Sequence, residues 1–108
     1  MIRYLVQISQ FSNGLEEQFI QWMREEHMQD MLGIDGCLEC RVLRWEDGSV
    51  SCEYLFSTQD RLDAYLKEGA KTMREKGLKK FAGSSLSYQR STQPMVLEKR
   101  RLAQNDTP

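Results

Sequence analysis

The sequence predicts an α+β fold, a four-stranded antiparallel sheet with two helices on one of its faces. Three observations predict it. Two long stretches repeat apolar residues at helical spacing, four short stretches read as strands, and Asp47-Gly48 joins two of those strands through a hairpin signal. The resulting order, β-α-β-β-α-β, has a ferredoxin-like sandwich as its simplest compact solution.

Each element can be justified in turn. In "IRYLVQIS" (2–9), Ile2, Tyr4, Val6 and Ile8 share one face while Arg3, Leu5 and Gln7 share the other, the alternation of a strand. "FSNG" (11–14) is turn chemistry with a helix cap. From Leu15 to about Leu32 no glycine or proline intervenes, and Leu15, Phe19, Trp22 and Met23 recur as on one helix face, with Gly33 and Gly36 at the exit. A second strand, about 37–46, turns at Asp47-Gly48 into a third, 49–57. A two-residue turn there would place Trp45 opposite Val50, Leu43 opposite Cys52 and Arg41 opposite Tyr54. Ser57 followed by Asp60 reads as the start of a second helix. Its stripe is Leu62, Tyr65, Leu66, Ala70 and Met73, ending near Gly77 or just after Phe81. The last strand lies near 84–92 and Pro94 ends it. Residues 1–93 are thus expected to form one domain and 94–108 a polar tail.

Composition narrows the function classes. An apolar share of 40 % and a charged share of 29 % are those of an ordinary globular chain. A net charge of -1 provides no field to draw the chain to nucleic acid or to anionic lipid. No apolar run reaches the ~18 residues of a membrane span, and no signal-peptide core opens the chain, so a cytoplasmic protein is expected. Three cysteines argue against a disulfide framework. Cys37 and Cys40 form a C-x-x-C string, but residues three apart on a regular strand point to opposite faces, so both are expected to be small core residues.

The stretches "WMREEHMQDML", "GCLECRVLR", "CEYLFSTQDRLDAYL" and "MREKGLKKFAG" together resemble a bacterial family known as a domain of unknown function. It is grouped with the dimeric α/β-barrel proteins, alongside antibiotic-biosynthesis monooxygenases and muconolactone isomerases. The resemblance covers roughly residues 1–92. It implies the ferredoxin-like fold and a homodimer packed sheet on sheet, and it transfers no catalytic residue. The residues point the same way on assembly, since helices cover one sheet face and apolar side chains are expected on both.

The one histidine, His27, falls inside the inward arc of the first helix. With 100° per residue, Glu26 and Asp30 fall near the centre of that arc. Two buried carboxylates would need partners or a wet cleft. This end of the helix therefore either overhangs the sheet into water, forms an ion pair with Arg41, or lines a cleft. In the last case, His27 is the candidate catalytic group, and Tyr4, Trp22, Glu26, Asp30, Arg41 and Tyr54 are the candidate ligand-binding residues. Imidazole moves protons near neutral pH. Arginine holds an anionic oxygen, and aromatic rings flank a planar ligand. The expected use is binding or transforming a small polar or aromatic molecule, and the alternative is a non-catalytic dimeric module for a ligand or protein. No metal is expected, because His27 and Asp30 have no second histidine to complete a triad. No cofactor motif appears either. RNA-recognition domains share this element order, but strand three lacks their basic-Gly-aromatic-Gly opening.

Overall fold

A computed structural model describes residues 1–12 and 14–94. Its strands are β1 (Ile2–Ser9), β2 (Cys37–Arg44), β3 (Val50–Phe56) and β4 (Ser87–Pro94). They form one sheet in the order β2-β3-β1-β4, and the three neighbouring pairs are antiparallel. Of the tail expected at 94–108, Pro94 ends β4 and the rest, with its basic "EKRR", lies outside the described residues.

The first helix is not uniform. An α-helical segment, Leu15–Trp22, runs into a π-helical turn, Met23–His27, and then a second α-helical segment, Met28–Leu32. The buried residues explain this. Phe19, Met23, His27 and Met31 recur at every fourth position. In a regular α-helix a spacing of four drifts by ~40° per step. The wider π turn absorbs that drift and keeps the stripe on the sheet. The same turn swings Glu26 out to solvent, so the inward carboxylates expected from a regular wheel do not occur.

The second helix has the same construction: Gln59–Ala64, a π-helical turn Tyr65–Gly69, then Ala70–Lys80. Thr58, not Ser57, caps it, accepting a hydrogen bond from the Arg61 amide at 3.2 Å. Leu62, Tyr65, Ala70 and Met73 are buried as expected, whereas Leu66 is exposed. Gly69 permits the π turn, since a Cβ there would lie 3.1 Å from the Tyr65 ring.

The hairpin corrects the expected register by one residue. Trp45 N–H bonds the Ser49 carbonyl and Gly48 N–H bonds the Trp45 carbonyl, so the loop is three residues, Glu46-Asp47-Gly48. Gly48 sits at φ +88, the left-handed position that such a loop requires. Val42 therefore faces Cys52, and Arg41 faces Glu53 rather than Tyr54. Because side chains alternate, a slip of one exchanges the two faces of β2. Val42 and Cys40 now join Cys52 and Tyr54 beneath the helices. Arg41, Leu43 and Trp45 lie with Leu5, Ser51, Glu53 and Leu55 on the helix-free face. That face is more polar than expected, and an Arg41–Glu53 ion pair crosses it.

A bulge at the start of β2 makes a second correction. The register shifts between Cys37 and Glu39, leaving Leu38 as the extra, exposed residue. The bulge cancels the expected alternation, and the Cys37 and Cys40 sulfurs lie 3.9 Å apart on the same side.

Candidate functional site

Between the two helices and the sheet lies a cavity of about 270 Å³. β1 contributes Tyr4, Val6 and Ile8, and β3 contributes Cys52 and Tyr54. Phe19, Trp22, Met23 and His27 close it from the first helix. Tyr65, Met73, Arg74, Gly77 and Leu78 line it from the second, and β4 supplies Tyr88 and Arg90. Gly77 has a spatial reason, since a Cβ there would sit 3.4 Å from the Trp22 ring.

His27 is the polar centre of this wall. It is only 9 % exposed, stacks on Trp22 with ring centroids 4.9 Å apart, and meets Tyr54 edge-on. Its Nε2 lies 3.0 Å from the Tyr54 hydroxyl, while Nδ1 is buried without a hydrogen-bond partner among the described residues. Burial lowers the imidazole pKa from 6.5 to about 4. Asp30 pulls it upward and Lys76 pushes it further down, but desolvation is the largest cause. The ring is therefore neutral at pH 7. Burial also holds the Tyr54 hydroxyl well above the usual phenol range.

The tautomer follows from the neighbours. The Met23 thioether has no hydrogen to give, so at 3.9 Å it accepts from the Cys52 thiol. The Tyr54 hydroxyl lies where it accepts a hydrogen on Nε2, whereas a hydrogen on Nδ1 would have no acceptor among the described residues. The lone pair then rests on Nδ1. A buried acceptor left unpaired is cheaper than a buried N–H left unpaired, which favours the same assignment.

Of the expected site residues, Tyr4, Trp22, His27 and Tyr54 come together in the cavity. Glu26, Asp30 and Arg41 do not. Glu26 and Asp30 line a separate, open depression with Glu25, Gln29, Lys76, Lys79 and Lys80. Asp30 pairs with Lys76 of the second helix at 3.1 Å, so it holds neither His27 nor Arg41. Arg41 was displaced by the register slip and pairs with Glu53 and Glu39 on the far face.

Sequence reasoning missed Arg74, Arg90 and Tyr88, and treated Tyr65 only as core. The signal for β4 was present, because Tyr88 and Arg90 alternate onto the face that pairs with Ile8 and Val6. Both arginines are exposed at the cavity mouth. Arg90 lies 5.3 Å from the Tyr88 ring centroid, and among the described residues neither arginine makes a salt bridge. No group of three metal-ligating side chains occurs among the described residues. No helix among them is long and apolar enough to cross a membrane.

Fold and cavity together define an α+β, ferredoxin-like protein with an aromatic-walled hollow between helices and sheet. The chain belongs to the family described as Domain of unknown function (DUF4286), whose model matches residues 1–95. No curated protein matches it. Among solved structures, it is similar to a dimeric ferredoxin-like protein from an uncultured marine organism (TM-score 0.72, 13 % identity, 93 % of this chain and 98 % of that one). It is also similar to a monooxygenase of Streptomyces coelicolor in complex with nanaomycin D (TM-score 0.65, 9 % identity, 92 % of each chain). A third is SnoaB, a cofactor-independent oxygenase from Streptomyces nogalater (TM-score 0.63, 12 % identity, 91 % of this chain and 97 % of that one). At these identities the likeness is one of fold.

Proposed function

We propose that this chain binds a small planar organic acid in the cavity between helices and sheet, and that it does so as a homodimer packed through the helix-free face. The observation that carries the reading is the pairing of an aromatic wall with two arginines at its mouth, around a buried neutral histidine. Aromatic rings offer area to a flat molecule, and a guanidinium free of carboxylate partners offers bidentate hydrogen bonds to an anion. A cavity of about 270 Å³ suits a ligand of one or two rings.

Within such a site, His27 is neutral at pH 7 and its Nδ1 has no partner among the described residues, so accepting a proton from a bound, enolisable ligand is the chemistry open to it. Support for assembly comes from the dimeric ferredoxin-like relative and from Leu5, Leu43, Leu55 and Trp45 on a face that no helix covers.

The test is calorimetric titration with aromatic carboxylates and their uncharged amide counterparts. Carboxylates should bind and amides should not. Arg74→Ala and Arg90→Ala should each weaken binding about tenfold or more, the scale of one charge-assisted hydrogen bond. Equal binding of acid and amide, or variants that bind as the wild type does, would defeat the reading. Ligand C–H exchange with solvent deuterium, present in wild type and lost in His27→Gln, would reveal the proton transfer.

A further inference from the structure

The bulge at Leu38 lies outside the hairpin, and neither Leu38 nor Cys37 or Cys40 lines the cavity, yet it produces one specific juxtaposition. Without it, Cys37 and Cys40 would face opposite sides of β2. With it, their sulfurs are in contact at 3.9 Å on the helix side of an edge strand. The Cys40 sulfur also lies 3.9 Å from the Met28 carbonyl, the residue that follows the π turn of the first helix. Cys37 is buried at 8 % exposure, whereas Cys40 is half-buried. The third cysteine, Cys52, is fully buried under Met23 and takes no part in this contact.

We propose that Cys37 and Cys40 are a redox-active dithiol, which a small hydroperoxide converts to an intrachain disulfide across the bulge.

The order of events follows from the contact. The Cys37 and Cys40 sulfurs share a hydrogen bond, and this contact lowers the Cys37 pKa and raises that of Cys40. Cys37 is then the better thiolate and Cys40 the waiting thiol. The Cys37 thiolate attacks one peroxide oxygen, the O–O bond breaks, and Cys37 becomes a sulfenic acid as water or an alcohol leaves. The Cys40 sulfur next displaces the sulfenic hydroxyl, the S–S bond forms, and its proton departs with that hydroxyl as water. Two thiols and one hydroperoxide thus yield one disulfide and two molecules of water, or of water and alcohol. The protein gives up two electrons and the peroxide takes them. The burial of Cys37 selects the oxidant by size, because a peroxide reaches a recessed sulfur that a peptide disulfide meets poorly. Cys52 is an internal control, its thiol pushed up to about 12 by burial.

The experiment treats the full chain with hydrogen peroxide in the presence of a free model thiol. Remaining thiols are then alkylated under denaturing conditions, and intact mass and peptide maps are recorded. The expected product has lost two hydrogens, retains one alkylatable cysteine of three, and carries a Cys37–Cys40 bond that dithiothreitol reverses. Cys37 should be consumed at least about tenfold faster than Cys52. Cys40→Ser should accumulate a sulfenic acid at Cys37 that dimedone traps, and Cys37→Ser should leave Cys40 unmodified at the same dose. Circular dichroism of both serine variants checks that each is folded. The proposal is overturned if the model thiol is consumed while all three cysteines survive, if Cys52 reacts as fast, or if the bond forms between chains.

Discussion

A buried neutral histidine ties stability to pH in a way that a chain with one histidine makes unusually clean to measure. His27 has a folded pKa of about 4 against 6.5 for the free side chain. Between those values the unfolded chain binds a proton that the folded chain refuses. Stability is therefore full above pH 6.5 and is lost as pH falls toward the folded pKa. Linkage through that shift gives a loss of about 2 kcal/mol between pH ~7.5 and pH ~5. The groups facing the ring are Asp30 on its own helix, Lys76 on the second helix and the uncharged Tyr54 on β3. The assay is urea unfolding of wild type and His27→Gln across this range. Carboxylates titrate in both proteins and cancel in the difference. At neutral pH the variant should be less stable by about 1 kcal/mol, the scale of its lost bond to Tyr54. In acid the gap should close and then reverse. A gap constant with pH, or an imidazole NMR resonance titrating near 6.5, would refute the burial argument.

The remaining expectations concern backbone, cavity and surface. Gly36→Ala should cost roughly 1–3 kcal/mol in urea unfolding, because φ is +91 there and a Cβ would sit 2.5 Å from that of Arg61. Gly77→Leu should fold but abolish uptake of aromatic acids in calorimetry, since its side chain is directed at Trp22 and the cavity. Leu43→Glu on the helix-free face should leave circular dichroism unchanged and shift the sedimenting species to a single chain. A wild type that sediments as a single chain at micromolar concentration would count against the dimer.

Element order and both hydrophobic stripes were legible because period-two and helical patterns report burial directly. The departures share one physical cause, extra residues that local pattern does not announce. One added loop residue, Glu46-Asp47-Gly48 in place of Asp47-Gly48, exchanged the faces of β2 and removed Arg41 from the site. The π turn over Met23–His27 carried Glu26 outward while leaving His27 inward. The bulge at Leu38 brought together two cysteines that regular alternation separates. Tyr4, Trp22 and Tyr54 were recoverable because each lies where the phase of its element held, and His27 because the π turn that ends on it leaves it inward. Arg74 was not, because it neighbours the buried stripe at Met73 rather than belonging to it.

The hollow beneath the helices is the claim on which the functional reading stands, and an NMR titration with an aromatic carboxylate such as 1-naphthoate addresses it directly. Saturable shifts of the Trp22 indole and His27 ring signals, absent in Gly77→Leu, are the predicted result. Shifts confined to the lysines of the open depression, Lys76, Lys79 and Lys80, would contradict it.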